Sequence, residues 1–177
     1  MGAFRNEPEE WQRLDWALLQ VGSVSLFWRR EVLDEAVRWL EENGYAIRWM
    51  DAAGWRSDDD LHDAMSRALD FPDYYGRNLN ALLDCLEDVA TYEYGSDPTS
   101  SGTAVVVLGY DAFTAWDKDL AQRVLDLVAL AGRRALLVGH RMIFLIQSND
   151  PKLRFEDVGA QPVRWNPKEW LNKARGL

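Results

Sequence analysis

Residues 71–86, FPDYYGRNLNALLDCL, combine residue types that can bind another protein. Tyr74 and Tyr75 lie between a proline and a glycine, and the carboxylates of Asp84 and Asp88 follow further along. A tyrosine offers an apolar ring with a polar hydroxyl, and a carboxylate forms charge-assisted hydrogen bonds with basic groups. The pattern indicates side chains presented to a partner, although an ordinary solvated helix face would show similar spacing.

Residues 57–63, SDDDLHD, place four aspartates and a histidine within seven residues, as in some metal sites. Ser57 followed three residues later by Asp60 is, however, a helix-capping pattern, and acidic residues in a first helical turn are favoured by the macrodipole. Adjacent aspartates on a helix also point in different directions. We therefore expect a helix start here, and neither a metal site nor a cofactor.

A catalytic interpretation would need Cys85 with His62 or His140. Cys85 lies beside core leucines, where a free cysteine usually behaves as a small hydrophobic residue, and no third group at a recognisable spacing orients either histidine. His140 follows Gly139 and is interpreted as a turn residue or a strand-edge cap. The sequence therefore predicts a protein that is not an enzyme.

A turn and a helix must position the first group of residues. Pro72 biases Phe71 away from helical angles, Gly76 permits a backbone conformation that a β-carbon would resist, and Asn78 can cap the next helix. The apolar residues recur at spacings of three and four, which is typical of a helix with one face in a core. They are Leu79, Leu82, Leu83, Leu86, Val89 and Ala90. The opposite face carries Arg77, Asn80, Asp84 and Asp88.

The N-terminal part reads as a strand over 23–28, a helix over 31–42 and a second strand over 45–50. Strand, helix, strand is the parallel crossover unit, so this part is expected to add a strand to the edge of a parallel sheet. Residues 1–19 could pack as a helix over this addition or remain mobile.

The C-terminal half continues the alternation. The β-branched run 103–108 predicts a central strand, and 142–147 predicts another. Helical spacing over 119–138 favours a helix between them, but residues 135–138 could instead form a hairpin with 142–146. The tail has extended character over 153–158 and 162–166, then a short helix opening at Pro167. Trp165 and Trp170 could pin this tail to the domain or form part of a protein interface.

Composition restricts the function further. The 177 residues carry a net charge of −9 and a pI near 4.7, which opposes direct binding of nucleic acid and favours a basic partner. One cysteine excludes an internal disulfide, no apolar run approaches the length of a membrane span, and the N-terminus lacks the apolar core of a signal peptide. We expect a cytoplasmic protein that does not bind membranes.

The pattern YYGxNLxALxDCL, formed by residues 74–86, closely resembles the signature of the barstar family, intracellular inhibitors of barnase-like ribonucleases. Weaker similarity covers residues 45–147. The resemblance implies a barstar-like α/β layered fold, with a small parallel β-sheet packed against helices. It also implies one domain over 1–177, in which 1–44 and 148–177 are additions to a core at 45–147.

The resemblance further implies a basic ribonuclease or nuclease toxin as the partner. Asp84 occupies the family's key position as a phosphate mimic, and Tyr74 would pack against a catalytic histidine or loop of the nuclease. Gly76 and Asn78 would shape the loop that lets both side chains reach. The expected partner-binding residues are Tyr74, Tyr75, Gly76, Asn78, Asn80, Asp84 and Asp88.

Three positions depart from the family's best-known member. Asn80 replaces an aspartate, Leu83 replaces a tryptophan, and no acid occurs over 127–138, where a further inhibitory glutamate would be expected. The departures allow two hypotheses, an inhibitor with a different cognate nuclease or a barstar-fold interaction module that does not inhibit nucleases.

Overall fold

The computed structural model describes residues 3–176. Its strands are β1 (Val24–Phe27), β2 (Tyr45–Asp51), β3 (Gly102–Leu108), β4 (Met142–Gln147) and β5 (Arg164–Trp165). They form one sheet in the order β2-β3-β4-β1-β5, and each neighbouring pair is parallel. This arrangement confirms the expected α/β fold with a small parallel sheet.

The helices connect and cover these strands. They are α1 (Pro8–Trp11), α2 (Leu14–Leu19), α3 (Arg30–Glu42), α4 (Asp58–Ala68), α5 (Leu79–Ala90), α6 (Tyr110–Trp116), α7 (Lys118–Leu137) and α8 (Pro167–Trp170), followed by a 3₁₀ turn at Lys173–Arg175. Across residues 3–176, none of these helices is both long and apolar enough to span a bilayer.

Two apolar clusters lie on opposite faces of the sheet. Val105 and Val107 of β3 face one cluster, which includes side chains from α4, α5 and α7. Ala104 and Val106 face the other, which includes side chains from α2 and α3. Because successive residues of a strand point to opposite faces, a strand covered on both sides must be apolar throughout. That requirement explains the β-branched run predicted as a central strand.

The stretch before β4 is helical, so the hairpin alternative is wrong. The amides of Val138 and His140 both donate to the carbonyl of Ala135, which closes the end of α7. Gly139 then takes φ +84°, a left-handed angle that favours glycine and ends the helix. The chain leaves this turn into β4, which pairs parallel with β3 rather than folding back on α7.

The N-terminal addition places β1 beside β4, as expected for a strand added to the edge of β2–β4. It is not the outermost strand, because β5 of the C-terminal addition pairs with its other side. Residues 8–19 form the two short helices α1 and α2. The fully buried carboxylate of Asp15 holds them in place by accepting from Arg13, from the hydroxyl of Tyr45 and from Arg141. Met1 and Gly2, which belong to the predicted N-terminal segment, lie outside the described residues.

Buried side chains attach the C-terminal addition to the rest of the fold. Trp165 is buried on β5, whereas Trp170 on α8 is about half exposed, at 48 %. Glu169 is fully buried, and its carboxylate accepts hydrogen bonds from the amides of Trp28 and Arg29, each at 2.8 Å. Helix α8 opens at Pro167, as the sequence predicts.

Candidate partner-binding surface

A tight turn over residues 72–75 presents the first tyrosine. The amide of Tyr75 donates to the carbonyl of Pro72 at 2.9 Å, so Asp73 and Tyr74 lie at the tip of the turn. Tyr74 is 81 % exposed. A large aromatic side chain this exposed is available for contact with a partner.

Gly76 does not have the special backbone angle that the sequence predicts. The left-handed residue is Arg77, at φ 49°, while Gly76 is outside the positive-φ set. Glycine is favoured at position 76 by space instead, since an added Cβ would lie 3.3 Å from both the Cβ of Ala81 and Nδ2 of Asn78. The expectation about Gly76 was therefore wrong in its cause, because close packing against the start of α5 is what restricts the residue.

Arg77 ties the turn to α4 rather than lying on an uncommitted outer face. Its guanidinium contacts the carboxylates of Asp59 at 2.8 Å and Asp63 at 2.5 Å. These contacts occupy two of the four aspartates in the acidic run, and Asp60 accepts from the hydroxyl of Ser57 in the cap of α4. Residues 3–176 contain no cluster of three His, Cys, Asp or Glu side chains suited to hold a metal ion.

Tyr75 points inward and anchors the turn. Its hydroxyl lies 2.5 Å from Nδ1 of His62, and its ring packs edge to face against Phe71 at a centroid distance of 4.9 Å. His62 is buried, at 3 % exposure, and burial lowers its pKa. Burial also raises the pKa of Tyr75. The two adjacent tyrosines thus differ, because Tyr74 is free while Tyr75 is half-buried and bonded to α4.

Helix α5 carries the carboxylates outward. Oδ1 of Asn78 accepts from the amide of Ala81 at 3.0 Å, which confirms the predicted cap. Leu82 and Leu86 are fully buried, and burying a leucine side chain contributes about 1.5–3 kcal/mol, so the helix is firmly seated. On the other side Asn80 and Asp84 are exposed.

The two carboxylates of α5 differ in availability. Asp84 makes no ion pair within 4.0 Å to any side chain in the described part of the chain. Asp88 is half-buried and accepts from the hydroxyl of Tyr94 at 3.1 Å. We call the outward set the acidic surface. Its residues are Asp73, Tyr74, Asn78, Asn80, Asp84 and Asp88.

The net negative charge of the chain comes from the segment that contains this surface. Residues 58–97 contain eleven Asp and Glu side chains and two Arg, a difference equal to the whole net charge of −9. The remaining 18 acidic and 18 basic side chains balance. Such a concentration produces a negative potential that attracts a basic protein. Asp73 belongs to this surface although sequence reasoning missed it; its place after a turn proline was the available signal.

Cys85 and the histidines have structural positions. Cys85 is 5 % exposed, and burial raises the pKa of its thiol. His140 is fully buried, with Nδ1 at 3.0 Å from the carbonyl of Ala90 and Nε2 at 2.9 Å from Oγ1 of Thr103. The backbone of His140 lies in the turn between α7 and β4, in keeping with its interpretation as a turn residue, and its ring also links the end of α5 to β3 inside the core.

Comparison with known proteins supports a family assignment. The family model described as Barstar (barnase inhibitor) matches residues 45–147, more than half of the 177 residues, and this region contains β2 to β4 and the whole acidic surface. A Bacillus subtilis (strain 168) protein named "Putative ribonuclease inhibitor YrdF" is 73 % identical over 26 residues. That match covers 15 % of this chain and 29 % of the relative. The family match, the parallel sheet and the loop and helix around Asp84 agree, and the chain belongs to the barstar family.

Proposed function

We propose that this protein inhibits a basic ribonuclease by placing the acidic surface into the active-site groove of the enzyme. The observation that carries the proposal is the exposed carboxylate of Asp84, held on a firmly packed helix without an ion pair to residues 3–176. A ribonuclease binds phosphate oxygens with basic side chains. A rigid carboxylate can replace a phosphate there through charge-assisted, often bidentate, hydrogen bonds.

The contacts beneath the surface support tight binding. Arg77 bridges to Asp59 and Asp63, and Tyr75 bonds to His62, so both sides of the exposed Tyr74 are fixed to α4. A loop that is ordered before binding loses less conformational entropy in the complex. Tyr74 then contributes a large ring at the edge of the carboxylate contact.

The identity of the partner depends on Asn80 and Leu83. Asn80 is exposed and can donate or accept a hydrogen bond, but it has no charge for a cation on the nuclease. Leu83 is half-buried and offers a smaller apolar surface than a tryptophan. We infer that the cognate enzyme presents a neutral polar group opposite Asn80, which distinguishes it from the usual target of the family.

Inhibition on this proposal involves binding alone and takes place in the cytoplasm. The thiol of Cys85 is buried and its pKa is raised, so little reactive thiolate forms near neutral pH. A free, buried cysteine suits a reducing compartment.

A second candidate is a barstar-fold module that binds a different protein without inhibiting a nuclease. The changes at Asn80 and Leu83 favour it, because both positions lie on or beside the acidic surface.

Inhibition assays against a panel of barnase-like ribonucleases test the proposal. We expect tight inhibition of at least one enzyme, and Asp84→Asn should weaken it by about 2–5 kcal/mol, roughly thirtyfold or more, because a basic group of the nuclease loses its partner. Asp157→Asn, an exposed aspartate of the C-terminal addition, is the matched control and should inhibit like the unaltered protein. Equal inhibition by both variants would refute the role of Asp84. Absence of inhibition across the panel would favour the second candidate.

A further inference from the structure

A cavity lies in the C-terminal addition, outside the residues that the family model matches. It has a volume of about 310 Å³, near the lower end of the range for small-molecule sites. Three arginines and three aromatic residues form much of its lining. They are Arg154, Arg164, Arg175, Phe155, Trp165 and Trp170.

The cavity concentrates positive charge in an acidic protein. No carboxylate side chain lines it, and within residues 3–176 none of its three guanidinium groups lies within 4.0 Å of a carboxylate. Glu169 precedes the lining residue Trp170, but its carboxylate accepts hydrogen bonds from the amides of Trp28 and Arg29. Burial lowers the pKa of Arg175, the charge of Glu169 opposes that shift, and the charge of Arg154 adds to it. An anion in the cavity would relieve this repulsion.

The side chain of Arg175 is fixed in position beside the cavity by its contacts with the protein. It is 3 % exposed, and its Nε and Nη1 donate to the carbonyls of Pro151, Glu169 and Trp170 at 3.0 to 3.3 Å. Within residues 3–176, Nη2 has no hydrogen-bond acceptor. One face of the guanidinium lies over the ring of Trp165 at 4.0 Å. Fixed donors of this kind lose little freedom when they bind an anion.

The aromatic residues suit a flat ring. Trp170 is 48 % exposed, and the guanidinium of Arg164 lies 5.1 Å from its ring centroid. An exposed indole beside a guanidinium is the arrangement on which nucleobases stack. An inorganic anion would use the arginines but would make no contact that requires the exposed ring of Trp170.

A larger groove, between α2 and α3, lacks these properties. Its volume is about 670 Å³, but its lining mixes basic residues with Glu35 and Glu42. Lys168 is paired there with Glu35 at 2.6 Å, and Arg13 is paired with Asp15. Its charges are therefore largely compensated within the protein.

We infer that the cavity of the C-terminal addition binds a mononucleotide, with its base stacked on Trp170 and its phosphate held by Arg164 and Arg175. A free nucleotide fits better than a nucleic-acid strand, because the net charge of −9 repels a polyanion while the cavity has room for one small ligand. The acidic surface lies on α5 and the loop before it, while β5 is at the sheet edge opposite β2. Binding at the cavity is thus independent of the proposed inhibition.

Calorimetric titration of the full chain with 5′-AMP at low salt tests this inference. We expect saturable binding, and adenosine and ribose 5-phosphate should each bind about tenfold more weakly, because one lacks the phosphate and the other the base. Arg164→Gln and Trp170→Leu should each weaken AMP binding by about tenfold. Both side chains are solvent-exposed, so thermal melting should show folded variants.

Arg38→Gln supplies the matched control, since Arg38 is an exposed arginine of α3 with no salt bridge in the described chain. It should bind AMP like the unaltered protein. Lack of saturation at millimolar AMP, or an equal loss in Arg38→Gln, would overturn the inference. Inorganic phosphate binding as tightly as AMP would also overturn it, since the base would then contribute nothing. A tetraadenylate that binds more tightly than AMP would overturn the choice of a free nucleotide.

Discussion

His62 and His140, the two histidines of the chain, are both enclosed by the fold. His62 bonds to the hydroxyl of Tyr75 below the binding loop, and His140 bonds to Ala90 and Thr103. Burial lowers the pKa of both, with the charge of Arg77 adding to the shift at His62 and the carboxylates of Asp58, Asp59 and Asp63 opposing it. The folded protein therefore favours neutral imidazoles at both positions.

This preference predicts a dependence of stability on pH. The unfolded chain takes up protons near pH 6.5, whereas the folded chain resists them, so the stabilisation is present above that pH and is lost as pH falls toward the folded-state values. Urea unfolding at about pH 7.5, 6.5 and 5.5 should show a falling free energy of unfolding. Carboxylates titrate mainly below this window.

The double variant His62→Gln/His140→Gln is the control for the histidine origin of this slope. At about pH 7.5 its free energy of unfolding should be lower than that of the unaltered protein. From about pH 7.5 to about pH 5.5, its free energy of unfolding should fall by a smaller amount. A slope that persists in the double variant would contradict the assignment to these residues.

At this scale, the sequence predicts local contacts better than distant ones. The caps at Ser57 and Asn78 depend on partners three residues away, and both were correctly predicted. The bonds of His62 and Arg77 join α4 to the loop across 13 to 18 residues, and no periodicity indicates them. Gly76 shows the remaining difficulty, because a glycine required for space looks the same in sequence as one required for its backbone angle.

At the scale of the elements, Glu169 of α8 accepts hydrogen bonds from the backbone directly before α3, about 140 residues away in the sequence. The carboxylate of Glu169 accepts from the amides of Trp28 and Arg29, directly before α3, and also contacts Nε of Arg29 at 3.3 Å. Trp28 and Arg29 directly precede the first residue of α3, and a carboxylate near the N-terminus of a helix is favoured by the macrodipole. Glu169 thereby joins α8 to α3.

Replacement of this buried carboxylate should weaken the fold. Glu169→Gln keeps the shape but places an amide group against backbone donors, and we expect a loss of about 2–4 kcal/mol in the free energy of unfolding. The matched control is Glu35→Gln, whose exposed carboxylate pairs with Lys168 across the same two helices. Urea unfolding should show little change for the control. Equal stability of both variants would contradict the role of Glu169.

Helices and strands with a regular spacing of apolar residues were predicted well, whereas very short elements were not. The helix over 119–138 and the strand over 142–147 match α7 and β4 closely. Strand β5 has two residues, and its partner Leu26 is distant in sequence, so only its extended character was predictable. The order of β1 and β5 in the sheet depends on tertiary packing and was partly missed.

For the whole molecule, the separation of charge should control how fast a basic partner is captured. The neutralised part of the chain gives no long-range attraction, while residues 58–97 carry the full net charge of −9. Exposed charges are screened over about 10 Å at 0.1 M salt. We therefore expect association with an inhibited ribonuclease to slow as salt rises, with little change in dissociation.

Stopped-flow measurement of the association rate for two double variants tests whether the position of the removed charges matters or only their number. Asp58→Asn/Asp73→Asn removes one exposed carboxylate of the acidic surface and one on α4, and should slow association severalfold. Glu156→Gln/Asp157→Asn removes the same charge from the C-terminal addition and should leave the rate nearly unchanged. Equal slowing in both would show that only total charge matters.

We propose that the chain folds as one domain rather than as a core with separable additions. The cluster on one sheet face combines Phe27, Leu33 and Leu40 of the N-terminal addition with Ile143 and Leu145 of β4. The other cluster includes Trp165 from the C-terminal addition. Residues 45–147 alone would therefore leave one face of the sheet without its covering helices α2 and α3, and the other face without Trp165.

Expression of residues 45–147 tests this proposal. The fragment retains β2 to β4 but loses β1 and α3, so the edge of β4 and one apolar face become exposed. We expect it to aggregate or lack a cooperative transition, whereas the full chain should unfold in one step by circular dichroism. A fragment that melts cooperatively would establish an independent core.

The position of β1 also determines when the sheet can be completed during synthesis. This strand is synthesised before both of its neighbours, which are β4, where Val24 pairs with Phe144, and β5, where Leu26 pairs with Trp165. Pairings between such distant residues form slowly and only after the intervening chain exists. A nascent chain that stops anywhere before Trp165 therefore leaves an apolar strand with an open edge. Premature termination between the codons of Gln147 and Trp165 would release an aggregation-prone polypeptide, even though residues 45–147 and their acidic surface had already been synthesised.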